Sequence, residues 1–326
     1  MVTNNNRLDY IDTAKALAIF FVVMGHVLSG CKSDCMESWD EMIVWRLIYS
    51  FHMPLFMFVS GFVCFNPDKK YYVRDFIKRL VSYLIPFFTI ALFLGILREK
   101  LNFDQLWYFR SLALFVLFLY IGMKAIDKCN TIHPIVRVLL VVLVFSVELF
   151  LVYFLCQRLP VFDSIIDSSH INLCVFFVGG YIIRCFWRAI NKFFINDYTL
   201  VFSLITIILL YNILPISTIV KQFAVILFIF NLSALMPLRT NLVLQNLGKN
   251  TQSVYILHFF ILFNAPFVGA VFCHYNSMAM IWQAIPQLIW SVPVTIITIM
   301  LCLRLSTIIQ YYVNLIFNSL KVNNLY

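Results

Sequence analysis

Asp12, Lys15 and His26 occupy one apolar run, Asp12-Thr-Ala-Lys15-Ala-Leu-Ala-Ile-Phe-Phe-Val-Val-Met-Gly25-His26. Eleven residues separate Lys15 from His26, which at about 100° per residue returns to within about 20° of the same helix face, about 16 Å further along the axis. Asp12 lies one turn before Lys15 on that face. Holding an ionisable group inside an apolar helix is costly, so such a group faces protein or a water-filled interior and usually has a task there. One stripe thus carries a carboxylate and an ammonium at one end and an imidazole, the commonest proton-transfer group, past the middle. The plainer reading makes Asp12 and Lys15 interfacial snorkelling residues and His26 a buried hydrogen-bonding one.

A second run, Ser50-Phe51-His52-Met53-Pro54-Leu55-Phe56-Met57-Phe58-Val59-Ser60-Gly61-Phe62, crosses in the opposite sense and sets His52 at a depth comparable to His26. Two histidines at one depth suggest a reaction centre. Pro54 withholds an amide, a break tolerated where a span borders a polar cavity, and Ser60 with Gly61 also suits a close helix crossing. Further on, Gly248, Asn250 and Thr251 supply a turn and a helix cap, while Tyr255 and His258, three apart, are neighbours on one face. Arg74-Asp-Phe-Ile-Lys78-Arg79 can bind headgroups, set topology or hold a polyanionic cofactor. Glu148 stands deep in an apolar run and needs a proton or a partner; its role stays open.

The elements that must position these groups follow from composition. Of 326 residues 62% are hydrophobic and 12% charged, with a mean hydropathy of +0.90; a water-soluble domain needs about twice that charged fraction. The expected fold is all-α, a polytopic integral membrane protein of about ten transmembrane helices, near 12–30, 45–65, 80–97, 106–124, 135–155, 170–189, 198–214, 217–236, 250–273 and 281–303. Cations gather on alternate loops, from Arg7 through the Arg74–Arg79 group to Arg184, Arg188 and Arg304, which predicts that the N- and C-termini are both cytoplasmic. The net charge of +9 is then a topology signal and an attraction to membrane lipids, not a nucleic-acid footprint. Ala16 and Ala18 precede the first apolar run instead of following it, so a cleaved signal is not expected. No loop is long enough for a second domain, so residues 1–326 read as a single membrane domain. The nine cysteines lack paired CxxC spacing, and no metal site is expected. Cys31 and Cys35 share the first outer loop and could pair in an oxidising compartment.

At these residues the chain resembles the acyltransferase 3 family, multi-pass bacterial membrane enzymes that O-acylate cell-surface glycans and related molecules. Lys15, ten residues and His26 match the family's basic-residue-ten-His signature, with Lys in place of the frequent Arg. The run from Phe51 through Pro54 to Ser60-Gly61-Phe62 is similar to its aromatic, Pro-containing motif. Weaker likenesses follow in order: Phe76-Ile-Lys78-Arg79 to Pro86, Leu106-Trp107-Tyr-Phe, Phe177-Val-Gly179-Gly-Tyr181, and Gly248-Lys-Asn250 through Tyr255-Ile-Leu-His258. Ser82 stands where many members have a second Arg, and the soluble esterase-like C-terminal domain of some members is absent from this sequence.

The resemblance implies transfer of an acyl group, acetyl in the first instance, from a cytoplasmic acyl-CoA co-substrate to a hydroxyl of a cell-envelope glycan or lipid-linked saccharide. It implies a bacterial inner-membrane location and no bound cofactor. On this expectation His26 is the general base or first takes the acyl group, and His52 and Tyr255 orient the acceptor or stabilise the oxyanion. Lys15, Lys78 and Arg79 bind the donor, Asp12 keeps Lys15 charged, and Ser60, Asn250 and His258 complete the substrate contacts. Two other classes stand beside it: a multi-pass transporter or flippase, which needs no acyl donor, and a non-catalytic scaffold, which would tolerate changes at His26 and Lys15.

Overall fold

The computed structural model describes residues 9–65, 71–98, 107–126, 133–159, 168–212, 218–262 and 264–323, and every regular element among them is helical. In chain order these are α1 (Asp9–Ser29), a 3₁₀ turn (Trp39–Glu41), α2 (Ile43–Cys64), α3 (Val73–Arg98), α4 (Trp107–Ile126) and α5 (Pro134–Arg158). After a second 3₁₀ turn (Ser168–Leu173) come α6 (Cys174–Cys185), α7 (Trp187–Phe194), α8 (Asp197–Asn212) and α9 (Thr218–Ala234). The short α10 (Met236–Arg239) and α11 (Leu242–Lys249) lead to α12 (Thr251–Ile261), α13 (Pro266–Tyr275) and the long α14 (Met280–Asn323).

The all-helical expectation holds, and each of the ten apolar stretches coincides with a helix or with two. Five helices, α1, α2, α4, α5 and α14, are long and apolar enough to cross a membrane by themselves. Two further stretches are bent pairs: α6 and α7, with a 103° bend, and α12 with α13. Arg7 and Leu106, which entered the sequence reading, lie outside the described residues.

What α5 and α14 expose is the pattern that suits a lipid surrounding. α5 presents Leu139, Leu143, Val147, Phe150 and Phe154 outward. α14 exposes Ile289, Ile296, Ile297 and Met300 while burying Gln287, Ser291, Thr295 and Thr298. A helix with apolar side chains outside and polar ones inside inverts the pattern of a water-soluble surface helix. In hydrocarbon it is the favourable orientation, because the polar groups are the ones that need protein partners.

The chain divides into two compact units, one of Met1–Phe56 with Phe193–Tyr326 and one of Met57–Lys192. In the first, α1 packs against α9, α11, α12 and α14. Its loop after α1 is tied to α13: the Ala265 amide donates to the Gly30 carbonyl at 2.8 Å, and Asn276 Nδ2 donates to Glu41 Oε2 at 3.1 Å. That docking sets Cys273 beside Cys35, and the two form a disulfide with their Cα atoms 6.4 Å apart. The Cys31–Cys35 pairing that the sequence left open is therefore corrected. Cys31 is buried at the end of α1 and its thiol donates to the Val27 carbonyl at 3.3 Å, one helical turn back and away from the loop.

In the second unit the Ser60-Gly61-Phe62 and Phe177-Val-Gly179-Gly-Tyr181 motifs meet. A Cβ on Gly61 would strike the Phe177 carbonyl, and one on Gly180 the Phe58 carbonyl, so two backbones cross where only hydrogens fit between them. The close-packing role read for Gly61 is thus what the structure shows. Gly61→Ala is expected to destabilise the protein by about 1–3 kcal/mol through forced backbone separation. Thermal unfolding in detergent checks this, and an unchanged midpoint would dismiss the crossing as a stabilising contact.

Candidate active site

The first unit gathers four of the residues singled out by sequence. The rings of His26, on α1, and His258, on α12, have centroids 5.2 Å apart at 44°. Phe259 closes one side of the His26 ring at 4.9 Å. Tyr255, one turn before His258, lies 5.7 Å from it and contacts Phe56 of α2. His52 reaches the group through Tyr49, whose ring is 4.7 Å from His52 and 6.4 Å from His26.

Helical geometry sets the tautomers. His258 Nδ1 donates to the Val254 carbonyl at 3.0 Å and His52 Nδ1 donates to the Ile48 carbonyl at 2.8 Å, each one turn back along its own helix. A neutral imidazole that donates from Nδ1 keeps its lone pair on Nε2. Both rings are buried, and Nε2 of His258 has no hydrogen-bond partner among the described residues. The unit thus holds a basic nitrogen of fixed orientation in ring contact with the more accessible His26. That arrangement can take a proton from a hydroxyl and return it to a leaving group.

Toward the other end of α1, Lys15 Nζ lies 3.4 Å from Asp12 Oδ1. The carboxylate is almost wholly buried, at 3% exposure, whereas the lysine side chain keeps 26%, so the ammonium is the member of the pair a ligand can reach. α11 comes close to Asp12 because Gly248 has no Cβ; one there would collide with the Asp12 carbonyl. Asn250 Nδ2 donates to the Asn246 carbonyl at 2.9 Å and to Asn246 Oδ1 at 3.0 Å. Its side chain therefore closes the end of α11 instead of capping the start of α12.

The second unit holds the remaining candidates. Ser60 Oγ and the Tyr108 hydroxyl share a 2.7 Å hydrogen bond. Arg79 Nη1 donates to Cys64 Sγ at 3.4 Å, and the guanidinium lies 5.5 Å from the Phe65 ring and 5.9 Å from Tyr71. Lys78, the residue before Arg79 on α3, is exposed. Glu148 is half-buried on α5, and its Oε2 has no hydrogen-bond partner among the described residues.

Sequence reasoning missed Tyr49 and Ser29, which join the histidines on α1 and α2. Tyr49 lies one turn from Trp45 and from His52, so a helical count along α2 would have found it. It also missed the polar face of α14, where Gln287, Ser291 and Thr295 recur every four residues. Gln287 Oε1 accepts the Val44 amide at 2.8 Å and so fastens α14 to the start of α2. That helix packs against α1 and α12, the two that carry the paired imidazoles.

Fold and site together describe a many-helix protein, with helices apolar enough to cross a membrane, that lays two imidazole rings against each other. The chain belongs to the acyltransferase 3 family: the family's acyltransferase domain matches residues 8–309. It is also similar to the nodulation protein NolL of Mesorhizobium japonicum, 32% identical over 85 residues, which are 26% of this chain and 22% of that protein. The match thus spans less than a quarter of the relative's length. No solved structure matches the chain.

Proposed function

We propose that this acyltransferase moves an acyl group, acetyl in the simplest case, from cytoplasmic acyl-CoA to a hydroxyl of a cell-envelope glycan or lipid-linked saccharide. The single observation that carries this reading is the contact between His258 and His26, the latter on a helix whose other end bears the Asp12–Lys15 pair. The layout offers a base beside an accessible position and, about 16 Å away along α1, an ammonium for an anionic donor. We further propose ten spans with both termini cytoplasmic, in a bacterial inner membrane; the Cys35–Cys273 bond favours an oxidising compartment for the end of α1 that carries His26.

In the proposed reaction His26 withdraws the acceptor hydroxyl proton as the oxygen attacks the thioester carbonyl. The tetrahedral oxyanion expels the thiolate, which takes the proton back from the imidazolium, so the cycle closes without net proton release. His258 braces the His26 ring and offers its Nε2 to the same proton or to the acceptor. His52 and Tyr255 orient the acceptor or stabilise the oxyanion. Asp12 holds Lys15 in its charged form. Lys78 and Arg79 attract the polyanionic donor, Ser60 keeps a substrate contact, and Asn250 acts by shaping the α11–α12 turn beside Asp12.

Incubating the purified protein in nanodiscs with radiolabelled acetyl-CoA and an extracted pool of envelope glycans tests the proposal. Label should appear on the saccharide fraction in a hydroxylamine-labile ester. Label that stays on acetyl-CoA under all acceptors would refute it, and flux of glycan without donor would favour a transporter instead.

A further inference from the structure

Four buried polar atoms of the first unit have no hydrogen-bond partner among the described residues, and they lie on two helices that pack together. They are Nε2 of His258 on α12 and, on α14, Nε2 of Gln287 and the hydroxyls of Ser291 and Thr295. All four residues are 0% exposed. The three on α14 recur every four positions on the buried face of a helix whose opposite face, with Ile289, Ile296 and Met300, is exposed. Because α14 packs against α1 and α12, the stripe turns toward the helices that carry His26 and His258.

A hydroxyl in an apolar helix ordinarily satisfies itself on the carbonyl one turn back. Ser146 does so with Val142 at 2.8 Å, Thr206 with Phe202 at 2.8 Å, and Thr307, on α14 itself, with Leu303 at 2.9 Å. Ser291 and Thr295 do not, so close packing by small residues does not account for them. Leaving a buried donor or acceptor unpaired is costly. Interior sites that offer several such groups hold ordered water, whereas cavities that stay dry are apolar.

The stripe also has a direction. Gln287 Oε1 accepts the Val44 amide at 2.8 Å, and Val44 belongs to the buried cluster of Cys31, Met36 and Phe272 that packs beside Cys273 of the disulfide. From that contact α2 reaches His52 after eight residues and α14 reaches Thr295 after eight, a rise of about 12 Å on each. Gln287 thus marks the disulfide end of the unit and Thr295 the level of the imidazoles.

We propose that Gln287, Ser291 and Thr295 hold a file of ordered water that ends on Nε2 of His258 and relays protons between the imidazoles and the disulfide end of the unit. Gln287 Nε2 donates to the first water, each hydroxyl both accepts and donates, and Nε2 of His258 accepts from the last, its lone pair kept free by the Nδ1 bond to Val254. A proton on Nε2 leaves as its N–H bond breaks and an O–H bond to the neighbouring water forms. Each water hands on one proton, and the same steps in reverse bring one back. No electron or heavy atom moves, and the traffic resets the imidazoles between turnovers without altering the proton balance of acyl transfer. The relay role rests on the acyl-transfer reading; the water file does not.

Radiolytic labelling of the full-length protein in nanodiscs tests the file. A short X-ray pulse in heavy-oxygen water makes hydroxyl radicals from the water in place, and mass spectrometry reads the heavy oxygen on side chains beside ordered water. His258 should take label despite its burial. Thr295→Val keeps the branched shape and removes only the hydroxyl, whereas Thr295→Ser keeps the hydroxyl. Label on His258 is expected to fall severalfold in the first and to persist in the second. The thermal midpoint is an independent reading: removing a dry, unpaired hydroxyl would leave it level or raise it, whereas removing an anchor of the file lowers it by about 2 °C in Thr295→Val. An unlabelled His258, label unchanged in Thr295→Val, or a midpoint that fails to fall would each overturn the file. Transfer from labelled acetyl-CoA by the same samples tests the relay: kcat should fall severalfold in Thr295→Val, with KM for acyl-CoA unchanged, and recover in Thr295→Ser, and an undiminished kcat would overturn the relay. Label on His258 without transfer by the unaltered protein retires the enzymatic reading and keeps the file, whereas transfer with an unlabelled His258 does the reverse.

Discussion

His26→Ala abolishes measurable acyl transfer while the protein stays folded in its membrane. The expected loss is about 10²–10⁴-fold, the usual worth of a positioned general base. His26 is the accessible member of the imidazole pair, and His258, whose ring is fixed through Val254 and fully buried, is expected to replace it only poorly. The loss should fall on kcat, with the affinity for acyl-CoA little changed, since the donor's charged end is proposed to meet Lys15 some three turns away. Retained thermal stability and an intact Cys35–Cys273 linkage in the variant would exclude a folding defect. Turnover like that of the unaltered protein would remove His26 from the chemistry and assign the proton transfer to another group.

Loss of the disulfide gives the second large effect. The bond joins positions 238 residues apart in sequence and closes the loop after α1 onto α13. Cross-links of this kind stabilise by about 2–4 kcal/mol, chiefly by restricting the unfolded chain. Helices already confined to a bilayer have less freedom to lose, which places the expectation at the lower end. Cys35→Ser should therefore lower the thermal midpoint, and Cys35→Ser with Cys273→Ser should lower it no further, because one bond is removed in either case. Transfer should fall less than in His26→Ala, since α12 is still held against α1 by packing and by the Ala265–Gly30 hydrogen bond. The pairing itself can be read from a tryptic digest without reductant. Trypsin cuts after Lys32, so a Cys31–Cys35 bond and a Cys35–Cys273 bond join different peptides; recovery of the first would contradict the structure.

Much of the candidate site was legible as types and faces. The stripe from Asp12 to His26, the histidine in the second run and the Tyr255–His258 neighbours were all found by counting along a helix, because each relation lies within one element. The contacts between elements were not. Depth alone suggested His52 as the partner of His26, yet the direct ring contact goes to His258, and His52 stands behind Tyr49. Depth orders residues along the membrane normal and says nothing about which helices are neighbours. Asn250 has the composition of a helix-start cap and works as the end of the helix before it, since the two helices meet at that one residue and only their relative direction decides which orphan group its amide can reach.

The amino-acid sequence by itself determined the all-helical membrane character, the approximate positions of the apolar runs and the shared face of Lys15 and His26. Hydropathy and helical period are local quantities, summed over about twenty residues that are neighbours in the chain. The tertiary structure alone decided that Cys35 bonds Cys273, that Gly61 and Gly180 cross backbone to backbone, and that His258 is the imidazole laid against His26. Each of those depends on which faces of distant helices meet, and that choice is a minimum over the packing of the whole unit, which no single segment contains.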